Sequence, residues 1–451
     1  MEEGNQQQNR KYVELTTGDP HRLVSKFAVP SIITMLVSSL YNMVDTFYVG
    51  RIDTQSTAAL GIVFSYMAMI QAVAFFFGQG SGNYISRALG RRETEDASVM
   101  ASVGLISALI TGCVIALACS LCAAPLLVFF GSTETILPYA IDYFKWILPG
   151  SPFIIGCFAL NNQMRQQGNA MMSMIGIAAG AVLNIIIDPI FIFSMEMGVS
   201  GAGLATFISQ TASFFLLLFL SGRRGGISIR LRNFRPSLYM YREIAAGGLP
   251  SLMRQGFGSV AVICLNQVAS RYGDASVAAF SIVNRCMMLA GAAMIGYGQG
   301  FQPVCGFNYG ARLYDRVREA FRGCVRVSTV YCVIIAAAGI AFAPEIVRFF
   351  RADDAEVVRM GTDILRWQCF SFPLVGFVII TNMYLQNIRK TVPAILAASA
   401  RQGFFLIPVL YGGTALFGFA GLETAQFTSD ILSFLLALPL CLSALAHMGR
   451  D

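Results

Sequence analysis

The chain repeats itself at an interval of about 220 positions. Pro30-Ser31 returns as Pro250-Ser251, Ala58-Ala59 as Ala278-Ala279, and Gly78-Gln79-Gly80 as Gly298-Gln299-Gly300. Gly90 recurs as Gly310 and Phe129-Phe130 as Phe349-Phe350, and the only two tryptophans are Trp146 and Trp367. The interval then shortens slightly, through Pro189 and Pro408 to Gly203-Leu204 and Gly421-Leu422, as two one-residue gaps would make it. A register held this long marks one ancestral half, duplicated. Each half must fold from a sequence that is 55% hydrophobic and 13% charged. A soluble domain carries about 25% charged residues. This chain cannot cover a water-facing surface, so lipid has to surround most of it. Duplicated halves in a membrane are the plan of two-lobed transporters.

A membrane-crossing helix needs about 20 apolar residues. Twelve runs answer, among them 27–50, 57–80, 171–195, 200–221, 244–268 and 276–300. Runs this long, without alternation, exclude the strands of an outer-membrane barrel. The expected fold is an all-α integral membrane protein, with twelve transmembrane helices in two six-helix lobes. Residues 1–26 are expected to form a tail, 27–221 the first lobe, 222–243 an arginine-rich linker, 244–443 the second lobe and 444–451 a C-terminal tail. Lys and Arg crowd the N-terminal tail, the connections after even-numbered spans and the C-terminus; only Arg51, Arg271, Arg348, Arg351 and Arg359 fall in the other connections. That bias places both termini in the cytoplasm. Six spans per half is an even number, so both halves enter the membrane in one direction, and the repeat is parallel, with a pseudo-twofold axis along the membrane normal. The polar N-terminus lacks the apolar core of a cleaved signal peptide, which leaves targeting to the first span.

Several function classes drop out. The net charge of +7 is scattered through short connections and sets topology; it is no nucleic-acid footprint. The eleven cysteines lie in apolar runs and behave as small hydrophobes, with no disulfide framework. Cys119 and Cys122 form a C-x-x-C with no histidine nearby, so neither a resident metal nor a redox centre is expected. The two histidines, His21 and His447, sit near the termini, and no H-E-x-x-H, Walker or G-x-S-x-G motif occurs, so an enzyme and an organic cofactor are not expected.

An ionised carboxylate inside a span is costly and marks a functional candidate. Asp45 lies in the first span and Asp188 in the fifth, at depths of about 8 and 10 Å from their outer ends at 1.5 Å per residue. Thr206, in the sixth, lies at about 9 Å on the same reckoning. Asn184 precedes Asp188 by four residues and Asn42 precedes Asp45 by three, so each shares a helix face with its acid. Oxygens gathered at one level suit a proton or a hard cation such as Na+. Leu265 stands where Asp45 would recur, and Gly403 and Ile407 where Asn184 and Asp188 would. If packing required the acids, both halves would keep them, so a single coupling site is expected, in the first lobe. Pro189 directly follows Asp188 and frees carbonyls beside it. Arg254 is placed early in the seventh span, near enough to the cytoplasm to snorkel. Glu423 and Asp430 in the twelfth span are open between packing and cargo contact.

The stretch from Pro30 through Asn42-Met43-Val44-Asp45 to Gly50 resembles the first helix of MATE-type multidrug and toxic-compound extrusion transporters. Leu183-Asn184-Ile185-Ile186-Ile187-Asp188-Pro189, followed by Gly201-Ala202-Gly203-Leu204-Ala205-Thr206 and Ser209-Gln210, resembles the prokaryotic DinF/MepA-like branch. The resemblance implies a monomeric multi-pass antiporter of the bacterial inner membrane. It would export organic cations or amphipathic drugs in exchange for H+ or Na+ by alternating access. It implies cation or proton coupling at Asp45, Asn184, Asp188 and Thr206 with the Ala202 carbonyl, and Na+, if used, at Asp45, Asn184 and Thr206. Asn42, Asn161 and Gln210 would line the cargo cavity. The alternative reading is a flippase of lipid-linked saccharide precursors on a related two-lobed fold.

Overall fold

The computed structural model describes residues 2–222, 227, 229–351 and 354–449. The protein is all-α. Its helices run α1 Glu2–Thr17, α2 Pro20–Val49, α3 Thr54–Gly90, α4 Thr94–Leu121, α5 Ala123–Phe129, α6 Leu137–Gln166, α7 Ala170–Pro189 and α8 Gly198–Ser221 in the first half. The second half runs α9 Leu238–Ala269, α10 Asp274–Gly310, α11 Tyr314–Ala341, α12 Ala343–Phe350, α13 Ala355–Asn387, α14 Thr391–Ser399, α15 Leu406–Phe417 and α16 Phe419–Ala446. Among the described residues, eleven helices are long and apolar enough to cross a membrane. The helix α9 has ample length, at 32 residues, but is not among them. Arg254 and Gln255 interrupt the middle of its apolar run.

Helix ends follow local chemistry. The side chain of Asp19 caps α2 by accepting from the Arg22 backbone N–H, with Pro20 in the first turn, where its missing N–H costs nothing. Ser237 caps α9 in the same way through Met240 N. Two expected boundaries move. The tail expected over 1–26 is helical over Glu2–Thr17, and α2 already begins at Pro20. The linker expected over 222–243 already carries the first turns of α9, which begins at Leu238; of that linker, residues 223–226 and 228 lie outside the described residues.

Two hydrophobic cores form. One is built by residues from Val49 to Ile244; the other by residues from Ala261 to Met448, joined by Leu15, Leu23, Val24, Phe27 and Ala170. Between them, α2 packs on α10 and α3 on α9. These crossings are close at the end that carries both termini. A Cβ on Gly80 would lie 2.2 Å from the Ile244 carbonyl oxygen, and one on Gly300 would lie 2.4 Å from the Ala28 backbone. Only glycine allows backbones to meet at that distance. Toward the other end the contact loosens: a Cβ on Gly61, Gly256 or Gly291 of these helices would meet nothing within 4 Å, and side chains such as Leu40, Phe47, Phe64, Ile263 and Met288 are each more than half exposed. The halves thus enclose a cleft whose floor lies toward the termini.

Candidate coupling site and interlobe floor

Asn184 and Asp188 share one face of α7, where Asn184 Nδ2 donates to Asp188 Oδ1 at 3.2 Å. Pro189 then interrupts the helical hydrogen bonds, and the chain continues as a π-helical turn over Ile190–Ser194. Asp45 arrives from α2, one turn beyond Tyr41. From α6 the Tyr143 hydroxyl points at Asp45 Oδ2 over a long 3.5 Å. From α8, Thr206 approaches both tyrosine hydroxyls and Gln210 approaches Tyr41, none of them within hydrogen-bond distance. The Asp45 and Asp188 carboxylates are close enough for their charges to act on each other.

The cluster is shut off from water. Asn184, Asp188, Thr206 and Ala202 are 0% exposed, and Asp45 is 6% exposed. Five of its oxygens have no hydrogen-bond partner among the described residues: Tyr41 Oη, Asp45 Oδ1, Asn184 Oδ1, Asp188 Oδ2 and Thr206 Oγ1. A buried polar atom left bare costs about 1–3 kcal/mol, so five converging bare oxygens call for a species that meets them together. Among the described residues, no cationic side chain neutralises either acid. A proton shared between the acids, or a hard cation among the oxygens, satisfies both conditions.

The structure brings Asp45, Asn184, Asp188, Thr206 and Gln210 into one neighbourhood. It does not bring in all the expected residues. Asn42 spends its amide on the Ser38 carbonyl at 3.0 Å, within its own helix. Asn161 donates to Ser173 Oγ at 2.7 Å and ties α6 to α7 instead of lining a cavity. Tyr41 and Tyr143 went unnoticed in the sequence. Tyr41 could have been found, because it precedes Asp45 by four residues; Tyr143 carries no local signal.

Asp430, left open by the sequence, is fully served. It accepts from Arg401 Nε at 2.7 Å, Gln426 Nε2 at 2.8 Å and Ser371 Oγ at 2.7 Å. Arg401 sits in a second π-helical turn, Ala400–Phe404. An acid with this many donors is a packing device of the second half.

At the floor, polar groups of the two halves meet. Arg87 of α3 donates through Nη1 to the Asn387 carbonyl at 2.9 Å and through Nη2 to Glu243 Oε2 at 3.0 Å. The other Glu243 oxygen pairs with Arg389. Arg165 at the end of α6 crosses to Gln299 Oε1 at 2.9 Å. Beneath the floor, α1 touches both halves: Lys11 donates to Asn169, and the Leu15 carbonyl accepts from Asn308 at 3.0 Å.

Helices in two packed halves, a cleft between them and a buried carboxylate pair in one half define a multi-span secondary transporter. The MatE family model matches the chain twice, over residues 30–190 and 250–411, and the protein belongs to that family. Among curated relatives it is similar to the multidrug export protein MepA of Staphylococcus haemolyticus, at 28% identity over 91% of both chains. MepA of Staphylococcus aureus strain NCTC 8325 is 28% identical over 94% of this chain and 91% of its own. Among solved structures, a MATE transporter in complex with MaL6 superposes with a TM-score of 0.92 at 26% identity, over 98% of this chain and 100% of that one. An outward-facing multidrug resistance MATE transporter superposes with a TM-score of 0.91 at 27% identity, over 98% and 99%. A transporter of Pyrococcus furiosus, whose binding pocket is described as having reversed polarity, does so with the same score and identity, over 98% and 99%.

Proposed function

We propose that the protein is a monomeric multidrug antiporter of the bacterial inner membrane, exporting organic cations or amphipathic drugs in exchange for H+ or Na+. Twelve spans form two six-helix lobes, residues 27–221 and 244–443, related by a parallel pseudo-twofold axis, with the 222–243 linker and both termini in the cytoplasm. The floor is then the cytoplasmic gate, and the cleft opens outward. The observation that carries the coupling is the set of five bare oxygens around Asp45 and Asp188. Cargo binds in the cleft near the acids; H+ or Na+ entering from outside takes their charge, and the cargo leaves. The ion-loaded lobe then favours the inward-open state, because the ion binds the two states with different affinity. The MepA relatives are named as multidrug exporters, which supports the cargo class.

The test is efflux of a fluorescent organic cation from cells carrying Asp45→Asn or Asp188→Asn. Wild-type efflux from both variants at wild-type expression would end this mechanism.

A lipid-linked saccharide flippase is the second reading. The observation in its favour is the pair of arginines, Arg165 and Arg254, at the cleft floor, since such cargo carries a pyrophosphate.

A further inference from the structure

The sequence placed Arg254 near the cytoplasm, free to snorkel. The structure moves it. Because α9 begins at Leu238, Arg254 lies at the helix midpoint, about 24 Å along from its first residue, too far for its side chain to reach water at that end. It is half-buried, and no hydrogen bond or ion pair reaches it among the described residues. Side chains on a helix lean toward its N-terminus, which for α9 is the floor. There its charge acts on Arg165.

Arg165 is itself only 2% exposed. Its guanidinium touches neutral amides alone: Gln299 Oε1 at 2.9 Å, Asn162 Oδ1 at 2.6 Å and Gln302 Oε1 at 3.4 Å. Its Nε has no partner among the described residues. The nearby Gln71 and Gln255 meet each other across the halves at 3.4 Å and add no negative charge. The acids at this level are engaged elsewhere: Glu243 is held by Arg87 and Arg389. Two cations of like sign in a low-dielectric floor repel each other, and neither has an anion beside it. The buried charges elsewhere at the floor and in the second half are all paired, as buried charges require. This pair lacks the anion that would complete it, and its Arg165 meets Gln299 beside the Gly300 crossing that closes the floor.

We propose that Arg254, backed by Arg165, binds an anionic oxyacid group of the cargo, a carboxylate or a phosphate, at the floor of the cleft. A planar guanidinium engages either group through two parallel N–H donors. The cleft then has two poles, acids in the first lobe and arginines at the floor, and its preferred cargo is an amphipath carrying both a cation and an anion. The proposal rests on the cleft being the cargo site of the antiporter.

The test uses the purified full chain in nanodiscs, with no gradient applied, and two probes: a zwitterionic rhodamine acid and its cationic methyl ester. Fluorescence anisotropy should show the acid bound more tightly than the ester by wild-type protein. Arg254→Gln should weaken the acid by about tenfold or more, the worth of a charge-assisted hydrogen bond, and close the gap to the ester. Arg254→Lys should recover part of that loss. Equal binding of acid and ester by wild-type protein overturns the proposal, and this arm decides even if Arg254→Gln fails to assemble. Equal weakening of both probes in Arg254→Gln also overturns it. An alkyl carboxylate and an alkyl phosphate of the same chain length then compete with the bound acid. The better displacer names the group, and displacement by neither overturns the site. Because binding is read without a gradient, its outcome is independent of whether H+ or Na+ drives transport.

Discussion

The guanidinium of Arg87 meets the carboxylate of Glu243 at 3.0 Å across the boundary between the halves, with both side chains buried. Arg389 and the Asn387 carbonyl, both from the second half, complete the group. This clasp joins the first half to the second at the floor, so it holds the floor shut. Removing one partner of a buried pair costs about 3–5 kcal/mol, because the other charge is left without compensation. Glu243→Gln should therefore favour the floor-open state. Spin labels at Leu121 and Leu416, exposed at the far ends of the two halves, should shift toward shorter separations, as the cleft closes when the floor opens. An unchanged distance distribution would remove the clasp from the gate.

The glycine contacts give a contrast within one helix. On α10, a Cβ at Gly300 would lie 2.4 Å from the Ala28 backbone, while one at Gly291 would meet nothing within 4 Å. Gly300→Ala should lower the melting temperature and weaken the floor. Gly291→Ala should be neutral or raise stability by up to about 1 kcal/mol, the helix cost of glycine. Thermal unfolding of the two single variants in detergent checks both signs.

Much of this was legible in the sequence for a physical reason. The doubled glycines Gly80 and Gly300, and Gly90 and Gly310, repeat because backbones of the two halves cross at those points; a Cβ on Gly310 would stand 2.1 Å from the Arg87 carbonyl oxygen. Asp45 and Asp188 stood out because lipid tolerates no idle carboxylate. Tyr143 did not stand out, since its place beside Asp45 depends on how α6 packs, nearly a hundred residues away. The misplacement of Arg254 came from reading a helix start off its apolar run. Arg242 and Glu243 in the second turn of α9 interrupt its apolar pattern, Glu243 because it is buried in the floor against Arg87, and the apolar run therefore begins after the helix does.

The tyrosines should tune coupling without creating it. Among the described residues, Tyr143 gives Asp45 Oδ2 its only hydrogen bond, a long one at 3.5 Å. In Tyr143→Phe that oxygen is left bare in a buried site, which costs about 1–3 kcal/mol. Coupled efflux should slow, with cargo affinity changed little. Efflux of a fluorescent organic cation from intact cells, with cargo binding read separately on the purified protein, checks both.

The N-terminal helix offers a pH test outside the membrane. Burial pulls the Lys11 ammonium down from its ordinary 10.5 to about 8. A detached α1 would bind more protons than a docked one between those two values, so docking strengthens as pH rises through that window. Hydrogen exchange of the Glu2–Thr17 amides, corrected for intrinsic rate, should slow between about pH 8 and pH 10 in wild-type protein and lose that trend in Lys11→Met.

The most direct test of the coupling site is transport in proteoliposomes with pH and Na+ gradients imposed separately. Wild-type protein should move cargo against its gradient under one of the two, and Asp45→Asn and Asp188→Asn should each fail to concentrate it under either. Gradient-driven accumulation at the wild-type rate by either variant would contradict the account.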